Sequence, residues 1–409
     1  MARLETAADA VAWLRTPQAI RARAGLILAA AERDDLSHFA LDPGRLGPAA
    51  DYVIGVIRAN YPTLAIPYHS RWRHFAAGGR DRCAALPTAP ADERARLRFD
   101  LAITSVLLDA GAGNAWRYVE PASGMVLARS EGLAIASLDL FTSGTLSSDT
   151  GQPLRADARA LQSIDEQRLG AAFQVREDNP LVGLAGRAAL LNRLGHVIGS
   201  KPDLFGERTP RVGGLFDHLA GRAQDGRLRA SAILAAVLEG FGEIWPGRLE
   251  LEGVNLGDVG RHPAAASADL TSGLVPFHKL SQWLAYSLIE PLEEAGITVT
   301  GLDELTALAE YRNGGLLIDL GVLRPKHPGV LGEAHAGSSE IVVEWRALTI
   351  ALIDRLATLI RAKLGVTPAA LPLAKVLEGG TWAAGRQIAR ERRPGGGPPL
   401  QLVSDGTLF

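Results

Sequence analysis

LDELTALAEYRNGGLLIDL, residues 302–320, carries an apolar residue every three or four positions on both sides of a polar cluster. Leu302, Leu305 and Leu308 lead into Ala309-Glu310-Tyr311-Arg312-Asn313-Gly314-Gly315, and Leu316, Leu317, Ile318 and Leu320 follow. That spacing belongs to helices rather than strands. It predicts one helix ending at Glu310, a tight corner at Asn313-Gly314-Gly315, whose residues tolerate positive φ, and a second helix after it. The open amides at the start of that second helix suit an anion.

Outward from this corner the same periodicity recurs. It predicts helices over Ala7–Leu14, Gln18–Glu32, Ala91–Leu108, Leu181–Ile198, Ser231–Phe241, Phe277–Leu292, Leu302–Glu310 and Ser339–Leu364. Strand signals are confined to Gly124–Ala128 and Leu400–Val403. The expected fold is mainly α: one large helical domain with few short strands, an N-terminal part over 1–150 and a C-terminal part over 151–409 that carries most of the motifs. Ser143–Pro153, rich in Ser, Thr and Gly, is the candidate boundary. Arg324–Ser338 is expected to loop between helices, and Arg393–Pro399 to end the last one and send the tail, Leu400–Phe409, along a non-helical path.

Composition excludes several classes. Hydrophobic residues make up 47% and charged residues 22% of 409, ordinary for a globular protein. A formal net charge of -2 gives no basic excess for extended nucleic acid. The single cysteine, Cys83, rules out an intrachain disulfide and a cysteine-cluster metal site. No apolar run reaches bilayer-spanning length, and the N-terminus lacks a signal-peptide core, so a cytoplasmic location is expected. There is no phosphate-binding GxxxxGK[ST] loop, GxGxxG or GxSxG motif. The nine histidines form neither HExxH nor HxH, so neither metal nor cofactor is expected.

Several residues nevertheless invite chemistry. Glu344 has Ile341, Ala347 and Leu348 as helical neighbours, and a carboxylate on such a face must be paired, hydrogen-bonded or protonated. It reads equally as an acid/base group and as a structural ion pair. Arg346, two positions on, leaves another side of the helix and is expected to make a salt bridge elsewhere, with the Glu310 corner as its target. Lys279 and Gln282 share one helix face beside His278, suited to a phosphate or a carbonyl, though solvated faces of this kind are common. Pro67–Phe75 mixes aromatic and basic side chains around His69 and reads as either a stacking loop or a helix cap.

At these residues the chain resembles the uracil catabolism protein 4 family, over essentially its whole length. It is similar, more distantly, to the queuosine salvage family of helical N-glycosidases. The second resemblance rests on an ordered series: Leu107-Leu108-Asp109-Ala110 ending at Trp116, His278-Lys279-Leu280-Ser281-Gln282, Ala309-Glu310-Tyr311-Arg312, Val343-Glu344-Trp345-Arg346, and Trp382 with Arg386. It implies a helix–hairpin–helix glycosylase-like core and carboxylate-assisted cleavage of an N-glycosidic bond. The departures matter too. Glu310 stands where the salvage family has Asp, Gly314-Gly315 falls near its Pro, and Gly111-Ala112-Gly113-Asn114 replaces an aromatic stretch, which implies a smaller leaving group than queuine.

The function these resemblances imply is hydrolysis of a ribosylurea-type intermediate of uracil breakdown, with or without a 5′-phosphate. Glu310 is the favoured catalytic carboxylate and Glu344 the second. Lys279, Arg312, Arg346 and Arg386 are expected to hold phosphate or sugar oxygens, Trp116 or Trp382 to wall the pocket, and Gln282, Tyr311, Asn313, His278, Asp109 and His69 to complete it. The partner is thus a small ribosyl or nucleotide-derived molecule, with no membrane and no extended nucleic acid. The competing reading is a non-catalytic protein that binds such an intermediate. The oligomeric state has no signature in the sequence.

Overall fold

The computed structural model describes residue 4, residues 6–245 and residues 249–403. The start of the N-terminal stretch and the tail beyond Val403 lie outside the described residues. The fold is mainly helical with short two-stranded pairings, and no described helix is long and apolar enough to cross a membrane. Packing divides the chain into two units, neither continuous in sequence. The first falls within Met1–His69, Gly247–Gln282 and Gly301–Val403, the second within Ser70–Pro246 and Trp283–Thr300. The loop at Ser143–Pro153 lies inside the second unit, so the units do not follow a 1–150 and 151–409 division.

In the first unit the Glu340–Leu364 helix is buried on almost every side, with Val342, Val343, Leu348, Leu352, Ile353 and Leu356 inaccessible to solvent. It packs against the Pro17–Glu32 and Leu46–Asn60 helices. Each such side chain removed from water stabilises the fold by roughly 1.5–3 kcal/mol before entropy is counted. Local chemistry sets the ends of these helices. The Thr16 hydroxyl accepts the Ala19 amide, and Pro17 fills the first turn, where a missing N–H costs nothing. Gly365, at φ 68°, closes the long helix in the left-handed conformation that glycine adopts without strain.

Of the four described strand pairs in this unit, three bear on the site. Phe39–Leu41 runs antiparallel to Leu323–Pro325, with Phe39 opposite Pro325. Val259–Arg261 pairs antiparallel with Leu274–Pro276, and Ala334–Ala336 lies parallel to Gln401–Val403. The 324–338 segment thus holds the end of one strand, the whole of another and a short helix, Gly329–Gly332, instead of a plain loop. In the second unit the Ala91–Leu107 helix packs on Arg129–Thr142, and Ala158–Gln162 on Leu184–Ser200. Tyr118–Val119 pairs with Val126–Leu127, inside the stretch expected as a strand. Arg227–Arg229 lies parallel to Thr298–Thr300.

Candidate functional site

The 302–320 stretch folds differently from its periodicity. Leu302–Glu304 is a single 3-10 turn, residues 305–309 are neither helix nor strand, and the helix runs over Tyr311–Asp319. A buried backbone outside regular structure needs partners for its carbonyls. Here distant side chains supply them. Arg21 donates to the carbonyls of Glu304 and Leu305, each at 2.7 Å, Arg346 Nε to Ala309 at 3.3 Å, and Asn313 Nδ2 to Leu308 at 3.3 Å. Gln282 Nε2 reaches Thr306 Oγ1 at 2.6 Å, which makes Gln282 a buried tie between segments.

Glu310 therefore stands at the start of a helix, not at the end of one. Its backbone is extended and its carboxylate accepts the Arg312 and Asn313 amides, each at 2.6 Å. The amides expected to await an external anion are closed by the chain's own carboxylate. Burial raises the Glu310 pKa; the two amides and the charges of Lys279 and Arg312 pull it back without cancelling the rise. Asn313-Gly314-Gly315 is no turn either: all three are helical. Gly314 is required by proximity, since a Cβ there would lie 2.5 Å from Cε2 of Trp345. Tyr311 lies under the Arg312 guanidinium, which donates to the Gly396 carbonyl at 2.7 Å.

Arg346 reaches this corner, as its offset from Glu344 predicts, and also meets a residue without any signal in the sequence. Both its terminal nitrogens contact the Asp258 carboxylate at 2.7 Å, and the guanidinium lies 4.0 Å over the Phe277 ring. The Lys279 backbone amide donates to the same carboxylate at 2.9 Å. Burial pushes the Asp258 carboxyl up, but the charge and hydrogen bonds of Arg346, the Lys279 amide and His278 outweigh it and hold the group at about 2. His278 precedes the Lys279–Glu294 helix at φ 46°, a strained backbone for a non-glycine residue. Its Nε2–H donates to the Leu14 carbonyl at 3.0 Å, and burial lowers its pKa. Asp258 leaves no local signal because its partner is 88 residues away.

A third group gathers on a π-helical segment, Val376–Trp382, a rare conformation often found at functional positions. His69 Nδ1 lies 2.7 Å from Glu378 Oε2, and its ring is 5.3 Å from that of Trp382, over which the Arg386 guanidinium sits at 4.9 Å. The Tyr311–Asp319 helix packs against this segment and against Ala383–Arg392. Glu378 escapes a reading of the sequence; the only hint is a lone carboxylate in Val-Leu-Glu-Gly-Gly, and it is buried.

Glu344 belongs to a different set of partners. Its Oε1 accepts the amides of His38 at 3.2 Å and Phe39 at 2.7 Å, and its Oε2 lies 3.3 Å from His262 Nε2. Glu340 and His327 complete a cluster around His38, with His38 Nδ1 3.0 Å from His327 Nε2. His38, Glu340 and Glu344 place one ligating atom each within 4.8 Å of one another. The two carboxylates expected to share a pocket thus have separate neighbours.

Asp109 and Trp116 lie in the second unit. Asp109 Oδ1 is 2.8 Å from Arg71 Nη1, close enough for an ion pair though not aligned as a hydrogen bond. Trp116 is fully buried, with its Nε1–H donated to the Phe173 carbonyl at 2.9 Å, so it is a core side chain there. A cleft of about 720 Å³ in this unit is lined by Arg155, Glu207, Arg208 and Asp217 among others, and contains none of the residues chosen from the sequence.

Comparison with known proteins covers this whole arrangement. The family described as "Protein of unknown function (DUF1688)" matches residues 13–409. Protein urg3 of Schizosaccharomyces pombe is 39% identical over 98% of this chain and 99% of its own. Uracil catabolism protein 4 of Lachancea kluyveri is 37% identical over 91% of this chain and 92% of its own. With every segment from the Pro17–Glu32 helix to the π-helical turn inside the family match, and with two relatives above 30% identity over nearly the full length, the chain belongs to the DUF1688 family, the family of urg3 and uracil catabolism protein 4.

Proposed function

We propose that this protein serves pyrimidine catabolism by hydrolysing the N-glycosidic bond of a ribosylurea-type intermediate, with Glu310 as the assisting carboxylate. The observation that carries the reading is the state of Glu310: a buried carboxylate, 7% exposed, with its pKa raised by burial against the opposing charges of Lys279 and Arg312. Each of its oxygens accepts one amide and keeps a further lone pair. A carboxylate of raised pKa is a better base for an attacking water, and its charge opposes the positive charge that develops at C1′. Cations suit the phosphate or sugar oxygens of such a substrate, and Lys279 and Arg386 are the candidates. The pathway is supported by the relative's name, uracil catabolism protein 4. A helix–hairpin–helix glycosylase-like core belongs to the same proposal through the ordered motifs.

Purified protein incubated with ribosylurea, or with its 5′-phosphate, is expected to release urea and the free sugar. Glu310→Gln is expected to abolish release while Glu344→Gln, which acts on the other cluster, serves as the comparison. Tight binding of the substrate with no release by the wild type would overturn the glycosidase reading and leave a binding protein.

A further inference from the structure

We propose that His38, Glu340 and Glu344 bind a divalent first-row transition-metal ion, with His327 and His262 orienting two of the ligands. The inference does not rest on the glycosidase reading. The chain builds the cluster from three separate regions. Glu340 and Glu344 lie one turn apart on the Glu340–Leu364 helix, so both carboxylates leave the same face. His38 immediately precedes the Phe39–Leu41 strand. Antiparallel pairing with Leu323–Pro325, continued by the Lys326 amide on the His38 carbonyl at 2.9 Å, brings His327 beside it. His262 follows the Val259–Arg261 strand.

Charge gives the first argument. Glu344 is fully buried, and its partners are neutral donors. Two are backbone amides. The third is His262: its Nδ1 accepts the Ala264 amide at 3.1 Å, so in the neutral ring Nε2 carries the proton and faces Glu344. Among the described residues no Arg or Lys ion-pairs with Glu344 or Glu340. A second carboxylate one turn away adds to the local negative charge, and a buried anion without a countercharge is costly. A cation between them removes that cost.

Geometry gives the second. His38 Nε2 is 3.7 Å from Glu340 Oε1. Two ligand atoms that each sit about 2.0–2.2 Å from an ion are roughly 3–4.4 Å apart, depending on the angle between them. All three ligand atoms lie within 4.8 Å of one another, and Glu340, whose side chain is 43% exposed, has room to rotate toward an ion. The other nitrogen of His38 faces His327, the outer hydrogen bond that fixes tautomer and ring orientation in many metal-bound histidines. One imidazole and two carboxylates suit Zn²⁺, Mn²⁺ or Fe²⁺ better than Mg²⁺ or Ca²⁺, which favour all-oxygen sites.

The test is calorimetric titration of chelator-treated, full-length protein with Zn²⁺, and with Mn²⁺ followed by electron paramagnetic resonance. One ion per chain is expected, with Mg²⁺ failing to compete. Glu340→Gln and His38→Gln are each expected to weaken Zn²⁺ binding by about 100-fold or more, and His327→Gln by roughly 10–100-fold. Glu340 is partly exposed, so its replacement keeps the fold, which circular dichroism of each variant confirms. Absence of stoichiometric Zn²⁺ and Mn²⁺ binding, or wild-type affinity in either Glu340→Gln or His38→Gln, overturns the site.

Discussion

Glu310 holds the first turn of its helix and, in the proposed reaction, the attacking water. The two roles separate experimentally. Glu310→Gln keeps one acceptor for the amides, so the fold is expected to lose only about 1 kcal/mol, in the range of a lost helix cap. Loss of general-base assistance is expected to lower kcat by about 10²–10⁴-fold. If Glu310 acts ionised, the wild-type rate falls as pH drops through its pKa, which burial places above the ordinary carboxylate range. Stability carries the opposite sign. A carboxyl whose folded pKa is raised destabilises the ionised folded state, so stability falls as pH climbs from about 4.3 through the folded value. Urea denaturation across that window is expected to show a slope that Glu310→Gln removes.

Asp258 titrates the other way. Its folded pKa of about 2 lies below the unfolded value, so its contribution is complete above about pH 4 and is lost as pH falls toward 2. Replacing it with Asn leaves the buried Arg346 guanidinium without its counterion, an expected cost of about 3–5 kcal/mol read from the urea midpoint. A shift below about 1 kcal/mol would mean that the partners Arg346 keeps, the Ala309 carbonyl and the Phe277 ring among them, suffice for it.

Among elements, the Tyr311–Asp319 helix separates what glycine does by conformation from what it does by size. Gly314 faces Trp345 at a distance no Cβ tolerates. Gly314→Ala is expected to destabilise by about 1–3 kcal/mol despite alanine's higher helix propensity. Gly25, exposed in the Pro17–Glu32 helix with nothing within 4 Å of where a Cβ would sit, supplies the contrast, and Gly25→Ala is expected to stabilise by roughly 0.5–1 kcal/mol. Thermal midpoints of the pair decide the matter. The same helix explains how far the sequence was legible. Periodicity located Ala7–Leu14, Pro17–Glu32, Ala91–Leu107, Ala230–Phe241 and Glu340–Leu364 nearly to the residue, because burial on one face is a local pattern. It failed at 302–310, where Leu305 and Leu308 are buried in a non-helical stretch with carbonyls satisfied by Arg21 and Arg346. It failed again at Asn313-Gly314-Gly315, where the reason for glycine is a tryptophan on another helix. Among the candidate residues, the motif series marked Glu310, Glu344, Lys279, Arg346 and Trp382; Asp258, Glu378 and the pairing of His38 with His327 depend on contacts between distant segments that no local motif marks.

For the whole molecule, the chain leaves the first unit after His69, returns for 247–282, and returns again at Gly301. Residues needed by Ala7–Asn60 for its packing, above all the Glu340–Leu364 helix, come from the last fifth of the sequence. A chain truncated after Thr300 contains every described residue of the second unit but lacks that helix. Limited proteolysis of this truncation is expected to spare peptides from 70–245 and 283–300 and to digest those from 7–60. Equal protection of both would mean that the N-terminal helices find a core without their C-terminal partners.

The strand pair Phe39–Leu41 and Leu323–Pro325 gives this arrangement a consequence during synthesis. The 7–60 helices leave the ribosome long before their Glu340–Leu364 partner, so Ile20, Ile27, Val53 and Ile57 stay uncovered until that helix has been translated. Those apolar faces are the nascent chain's exposed liability, the kind of transiently open surface on which partly folded chains aggregate.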